Sequence, residues 1–200
     1  MIHLRSGQQK MKRKARLRGT NILDHLIQTA GNNGMGFNPM LTPKQILMSG
    51  AFGGCYFGVE VEKKGDYDYQ KLFDEALDGV DPTLYLSTTY KTKVNKFKTS
   101  AGLSYQEWKQ KGWIHEDDPY GWFEWYLKYH SGRRHPDDAR QIKRWHNFCG
   151  PDGRWRRTIY KKIHATGNWD VSPRIQQSLL HWGYQVNRRD YEHFLDKNNL

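Results

Sequence analysis

The residues best suited to chemistry in this chain fall in two stretches. In the first, Trp113-Ile114-His115-Glu116-Asp117-Asp118-Pro119, adjacent carboxylates follow a histidine. Asp117 and Asp118 with His115 resemble the oxygen-rich sites that bind divalent cations in nucleases, but no further acid stands at a completing distance, so no metal site is expected. The same carboxylates suit a helix start, where they cap free N–H groups and meet the positive end of the dipole. In the second stretch, Gly132-Arg133-Arg134 precedes Asp137-Asp138 and Arg140-Gln141. Either these forks and carboxylates neutralise each other, or Arg133, Arg134, Arg140 and Arg144 converge with free N–H groups on an anion. Asp117, Asp118, Asp138 and His181 are the candidate catalytic groups, and no cofactor is identifiable. Cys55 and Cys149 have no neighbouring histidine to act as base, which leaves a nucleophilic role unsupported.

A cationic surface surrounds these groups. Residues 133 to 164 hold ten Lys or Arg against three acids. In the helix expected from about Asp152, Trp155, Ile159 and Ile163 share one face, and Arg154, Arg157 and Lys161 line the adjoining side. With Lys162, they form a face able to meet successive phosphates, which sets affinity and register without reading sequence. Trp122, Tyr129, Trp145 and Trp155 have core spacing, yet they lie near these cations and are able to stack on unpaired bases.

The elements that position these residues are mostly helices. Ile22, Leu23, Leu26 and Ile27 suggest a short helix closed by Gly31-Asn32-Asn33-Gly34. Thr42-Pro43 starts another. Between them and the next helix, Phe52-Gly53-Gly54-Cys55-Tyr56-Phe57-Gly58 reads as a tight aromatic turn or a site wall. Asp66 to Leu77 is helical until Asp81-Pro82, and the alternation from Leu84 to Phe97 predicts one or two strands with a lysine-lined face. Helix signals then come densely: the Ser104/Glu107 capping box, Asp118-Pro119, Pro136, Asp152 and Ser172-Pro173 as starts, and a last turn over Asp190 to Leu195. The expected fold is α+β and mainly α, a C-terminal helical array with a small central β element.

Length and composition agree with one globular domain over residues 21–200 after a basic arm over 1–20. The arm has seven of the cations and no acid, and reads as disordered in the free chain; the rest carries +4 of the net +11. Eight Trp, 12 Tyr and 8 Phe supply core volume despite an apolar fraction of 36%. No apolar run is long enough for a membrane span, and two widely spaced cysteines suit a reducing compartment, which makes the cytoplasm the expected location.

Several strings together are specific. They are Phe52-Gly53-Gly54-x-Tyr56-Phe57; Lys111-Gly112-Trp113-Ile114 with Asp117-Asp118-Pro119-x-Gly121-Trp122-Phe123-x-Trp125-Tyr126; Gly132-Arg133-Arg134; Asp138-x-Arg140-Gln141-Ile142-x-Arg144-Trp145; and Leu180-His181-Trp182-Gly183-Tyr184. Over residues 40 to 185 the chain resembles a family of uncharacterised proteins found in tailed phages and in some fungal and algal genomes. The resemblance implies a phage-type origin and a shared site built from these strings, without naming a reaction.

Three functions are compatible with these features. The leading one is a DNA-binding protein of phage or viral type acting in DNA modification or processing, within the host cytoplasm. The second is an enzyme acting on a nucleotide or DNA base in a cleft lined by Arg and Asp. The third is a virion or assembly protein whose basic surface meets packaged genome.

Overall fold

The structure is a computed structural model that describes residues 36–61, 63 and 67–200. The chain divides after Asn38, and the unit Pro39–Leu200 carries all the elements below. The basic arm and the helix expected at Ile22–Ile27 lie outside the described residues.

The unit is mainly helical, and local punctuation explains its boundaries. Helix α1 (Pro43–Met48) begins with proline at its first position and a complete capping box, in which Thr42 and Gln45 each accept the other's backbone N–H. Helix α2 (Tyr69–Ala76) is capped by Asp68. Helix α3 (Tyr105–Gln110) has the Ser104/Glu107 box that its spacing predicts. Helix α4 (Trp122–His130) is followed by α5 (Asp138–Cys149), α6 (Arg154–Thr166) and α7 (Pro173–His181). The expected final turn is a full helix, α8 (Arg188–Asn198), capped by Asn187.

Helix α4 is central. Every residue from Trp122 to Tyr129 is buried, including Glu124 and Lys128. It packs on α1, while α5, α7 and α8 each pack on α6. Trp125, Phe123, Leu127, Ile159, Leu179 and Leu180 are all at most 1% exposed and belong to the core.

The expected β element is absent among the described residues, which contain no strand and a single isolated bridge between His115 and Asp118. Two 3₁₀ turns, Pro82–Leu84 and Thr92–Val94, occupy the region from Leu84 to Phe97. Asp81 caps the first by accepting the Thr83 N–H. Three backbone bonds join this region to the glycine-rich segment: Phe57 donates to Tyr85 O at 2.8 Å, Ser87 to Gly54 O at 2.9 Å and Lys91 to Gly53 O at 2.9 Å. Close approach makes this possible, since a Cβ on Gly58 would lie 2.1 Å from Ser87 O. The apparent alternation therefore marks a loop laid against a second loop.

The start of α4 also differs from expectation. Asp118-Pro119 does not open the helix; the chain turns first, with Asp118 N–H on His115 O and Gly121 N–H on Asp118 O. Gly121, at φ +87°, then enters α4 without a side-chain cap. Asp118 is thereby withdrawn from capping and placed inside the protein.

Candidate functional site

A cavity of about 660 Å³ is bounded by most of these elements. Phe52 and Tyr56 come from the glycine-rich segment, so that tight turn also borders the cavity. Trp108, Trp113 and Ile114 come from α3 and the loop after it, and Gly121, Trp122 and Phe123 from the start of α4. Helix α5 contributes Arg144, Asn147 and Phe148, the start of α6 contributes Arg154 and Trp155, and α7 contributes Arg174, His181 and Trp182. Residues from four of the five sequence strings meet here.

The aromatic side chains fall into two groups. Trp182 lies against Trp122 with centroids 4.4 Å apart and stacks on Phe148 at 4.7 Å. Phe52, Tyr56 and Phe123 form a cluster with centroids 4.4 to 5.0 Å apart, and Tyr56 is fixed at both functions of its hydroxyl, which donates to Tyr120 O and accepts the Phe123 N–H. By contrast, Trp108 and Trp113 make no ring-to-ring contact among the described residues, and Trp113 is 38% exposed. Trp108 has no ring or cation against it among the described residues, whereas Lys111 and Arg144 stand 5.6 and 5.5 Å from the Trp113 centroid. Trp122 Nε1–H is buried and has no acceptor, which leaves one donor unsatisfied at the cavity.

Arg144 is the cation most enclosed by this wall. Its guanidinium lies 5.5 Å from the ring centroids of both Trp113 and Trp182 and donates to Gln141 Oε1 and Trp113 O. Burial pulls its pKa down to about 10, with Arg140 adding to the effect. Arg154 reaches the same cavity from an exposed position on α6, where Arg157, Lys161 and Lys162 are also exposed. His181 stacks on Phe52 at 4.6 Å and bonds through Nε2 to Ala51 O at 2.7 Å. Burial lowers its pKa to about 4, so the ring is neutral near pH 7 with Nε2–H donating and Nδ1 unprotonated.

The other candidate residues lie elsewhere. Asp118, 0% exposed, receives both terminal nitrogens of Arg133, at 2.8 and 2.6 Å, and Lys128 Nζ stands 3.2 Å away. Lys128 also meets Glu124 at 2.7 Å and donates to Asp117 O. Glu124 accepts from Tyr69 Oη at 2.6 Å and from the Tyr120 N–H at 2.7 Å. Two acids and two bases thus form one buried, neutral network. Burial raises the Glu124 pKa, opposed by Lys128.

Arg140 is bonded to Asp137 at 2.5 and 2.8 Å, and Arg134 donates to two backbone carbonyls while covering the Tyr129 ring at 4.0 Å. Arg133, Arg134, Arg140 and Arg144 therefore do not gather on one anion position: Arg133 and Arg140 are bonded to carboxylates, and Arg134 and Arg144 to neutral oxygens. Asp138 accepts from Trp125 Nε1 and from the His135 N–H, which makes it a support for the turn before α5. Asp117 is exposed and faces His135 at the edge of a smaller recess.

Sequence reasoning missed Trp108, Glu124, Lys128 and His135. The i,i+4 pair of Glu124 and Lys128 within an otherwise apolar helical run was a readable sign of a buried ion pair. Comparison with known proteins gave no match to a protein family, to a curated protein or to a solved structure.

Proposed function

We propose that the chain is a DNA-binding protein, of the phage or viral type implied by its resemblance, which takes an unpaired base into the tryptophan-lined cavity. The observation that carries this reading is Arg144, a half-buried cation beside indole rings with no carboxylate bonded to it. An aromatic wall that includes the uncovered Trp108 ring suits a planar base, and a guanidinium whose only partners are neutral oxygens suits its phosphate. Trp122 Nε1–H supplies a donor for a base carbonyl or ring nitrogen. Arg154, Arg157 and Lys161 continue from the cavity along α6 and suit the phosphates that follow.

Binding accounts for the cavity better than catalysis does. Of the four candidate catalytic groups, His181 alone lines it, and its Nε2–H is held by Ala51 O. The three aspartates lie in or beside the separate ion network. A role in DNA modification or processing would then rest on delivering an exposed base, the state in which bases become accessible to chemistry.

Titration with a single-stranded oligonucleotide, followed by tryptophan fluorescence, tests the proposal. Quenching with tighter binding to single-stranded than to duplex DNA of the same sequence is expected. Equal affinity for both, with no change in emission, would overturn the base-insertion reading and leave a phosphate-only surface.

A further inference from the structure

We propose that His115, Asp117 and His135 form a binding site for a divalent transition-metal ion of the zinc class. The loop before α4 supplies the first two residues and the turn before α5 supplies the third, so the set is assembled only by the fold. One donor atom from each lies within 4.8 Å of the other two. Asp117 Oδ2 stands 3.0 Å from His135 Nε2 and 3.5 Å from His115 Nδ1. Donors bonded to a tetrahedral zinc at its usual bond lengths lie about 3.3 Å apart, which matches both distances. The two imidazoles stand edge to face at 5.1 Å, and both are partly exposed, so a small ring rotation closes the wider gap between them.

Ligand chemistry favours zinc over magnesium or calcium. Two imidazoles and one carboxylate are borderline donors, whereas the harder cations prefer all-oxygen sets. Three protein ligands leave a fourth position, and Asp117 and His135 border a recess of about 290 Å³ with room there for water or an anion. Lys128 and Arg133 also line that recess, where Glu124 and Asp118 match their charge. The other charges there are Lys63, which stands over the Tyr69 and Tyr120 rings, and the acids Glu116 and Asp117, so the recess has no excess of positive charge against a cation.

Without metal, each ring accepts a backbone N–H at Nδ1: His115 from Asp117 at 3.2 Å and His135 from Asp137 at 3.1 Å. A metal at His115 Nδ1 displaces the Asp117 N–H from that nitrogen, and a metal at His135 Nε2 displaces the bond from Nε2 to Asp117 Oδ2. The Nε2 proton of His135 then leaves to solvent, and Nδ1 stays unprotonated or, if it takes up a proton, the ring turns away from the Asp137 N–H, so loading is coupled to proton release.

The experiment uses the full chain and Co²⁺ as a visible probe, with Zn²⁺ as competitor. One equivalent of Co²⁺ should give the intense absorption of a tetrahedral site, and Zn²⁺ should abolish it. Asp117→Asn, His115→Ala and His135→Ala should each weaken binding by on the order of 100-fold or more, beyond what loss of an outer hydrogen-bonding group usually costs. Asp117 is exposed, so Asp117→Asn provides a folded variant, checked by circular dichroism, should a histidine variant unfold. Absence of the band at stoichiometric Co²⁺ would overturn the proposal, as would its persistence in Asp117→Asn. Either result would mean that the three side chains are held by hydrogen bonds alone.

Discussion

Arg133 reaches across the turn before α4 to hold both oxygens of Asp118, with its two terminal nitrogens at 2.8 and 2.6 Å. The carboxylate is wholly inaccessible, and Lys128 stands 3.2 Å from it. Removing one member of such a pair leaves a charge in the interior that water cannot reach. Arg133→Ala should therefore cost about 3 to 5 kcal/mol of stability in denaturant unfolding. Arg133→Lys should recover only part of this, because an ammonium cannot reproduce the two-point contact. A loss under 1 kcal/mol for the alanine variant would show that the network tolerates the gap.

His181 gives stability a pH dependence of known sign. Its folded pKa, about 4, lies below the ordinary 6.5, so the folded state binds the proton less well than the unfolded chain does. The contribution is complete above pH 6.5 and is lost as pH falls towards 4. The shift corresponds to at most about 3 kcal/mol. His181→Gln keeps a donor for Ala51 O without titrating, and the stability difference between variant and parent should change over that interval. A difference that stays constant from pH 7 to pH 4 would contradict the assignment.

The cavity and the α6 surface should respond differently to salt. Lys161→Ala and Lys162→Ala should each weaken DNA binding and reduce the slope of log affinity against log salt by about one. Trp108→Ala should lower single-strand affinity by the value of one stacked base, about 1 to 3 kcal/mol, with the slope unchanged. Arg144→Ala should lose more than either lysine variant. Identical slopes and losses across all four variants would point to general basicity.

Gly58→Ala tests the loop that carries Phe52 and Tyr56. The added methyl would lie 2.1 Å from Ser87 O and 2.5 Å from Leu86 O, both backbone atoms that cannot rotate away. A destabilisation of about 1 to 3 kcal/mol is expected from overpacking, with a fall in single-strand affinity as the wall shifts. Unchanged melting would mean that the two loops can separate freely.

Helices were the legible part of this chain because caps are local. Thr42-Pro43, Ser104 with Glu107, and Ser172-Pro173 each mark a start within four residues, and α1, α3 and α7 begin there. The region from Leu84 to Phe97 was misread because its backbone partners lie some 30 residues earlier, in Gly53, Gly54 and Phe57, and alternation cannot reveal them. The candidate site was legible in kind: aromatic strings and arginines do line a cavity. Which arginine serves it was not legible. Arg144 differs from Arg133 and Arg140 only in lacking a carboxylate within reach, a consequence of the side chains that the fold brings beside it.

Helix α7 closes the cavity by bonds that span most of the chain: Gln177 Nε2 and His181 Nε2 both bond to Ala51 O, 126 and 130 residues away. During synthesis, the glycine-rich wall emerges long before α7 does. A nascent chain up to residue 170 has the tryptophans of α3 and α4 but nothing to join them to α7, so competence for a ligand comes as one of the last events of folding. Contacts this distant in sequence slow that step and leave aromatic surface uncovered in the meantime. Low yield in truncated or circularly permuted forms would then have a kinetic origin, even where the finished fold is stable.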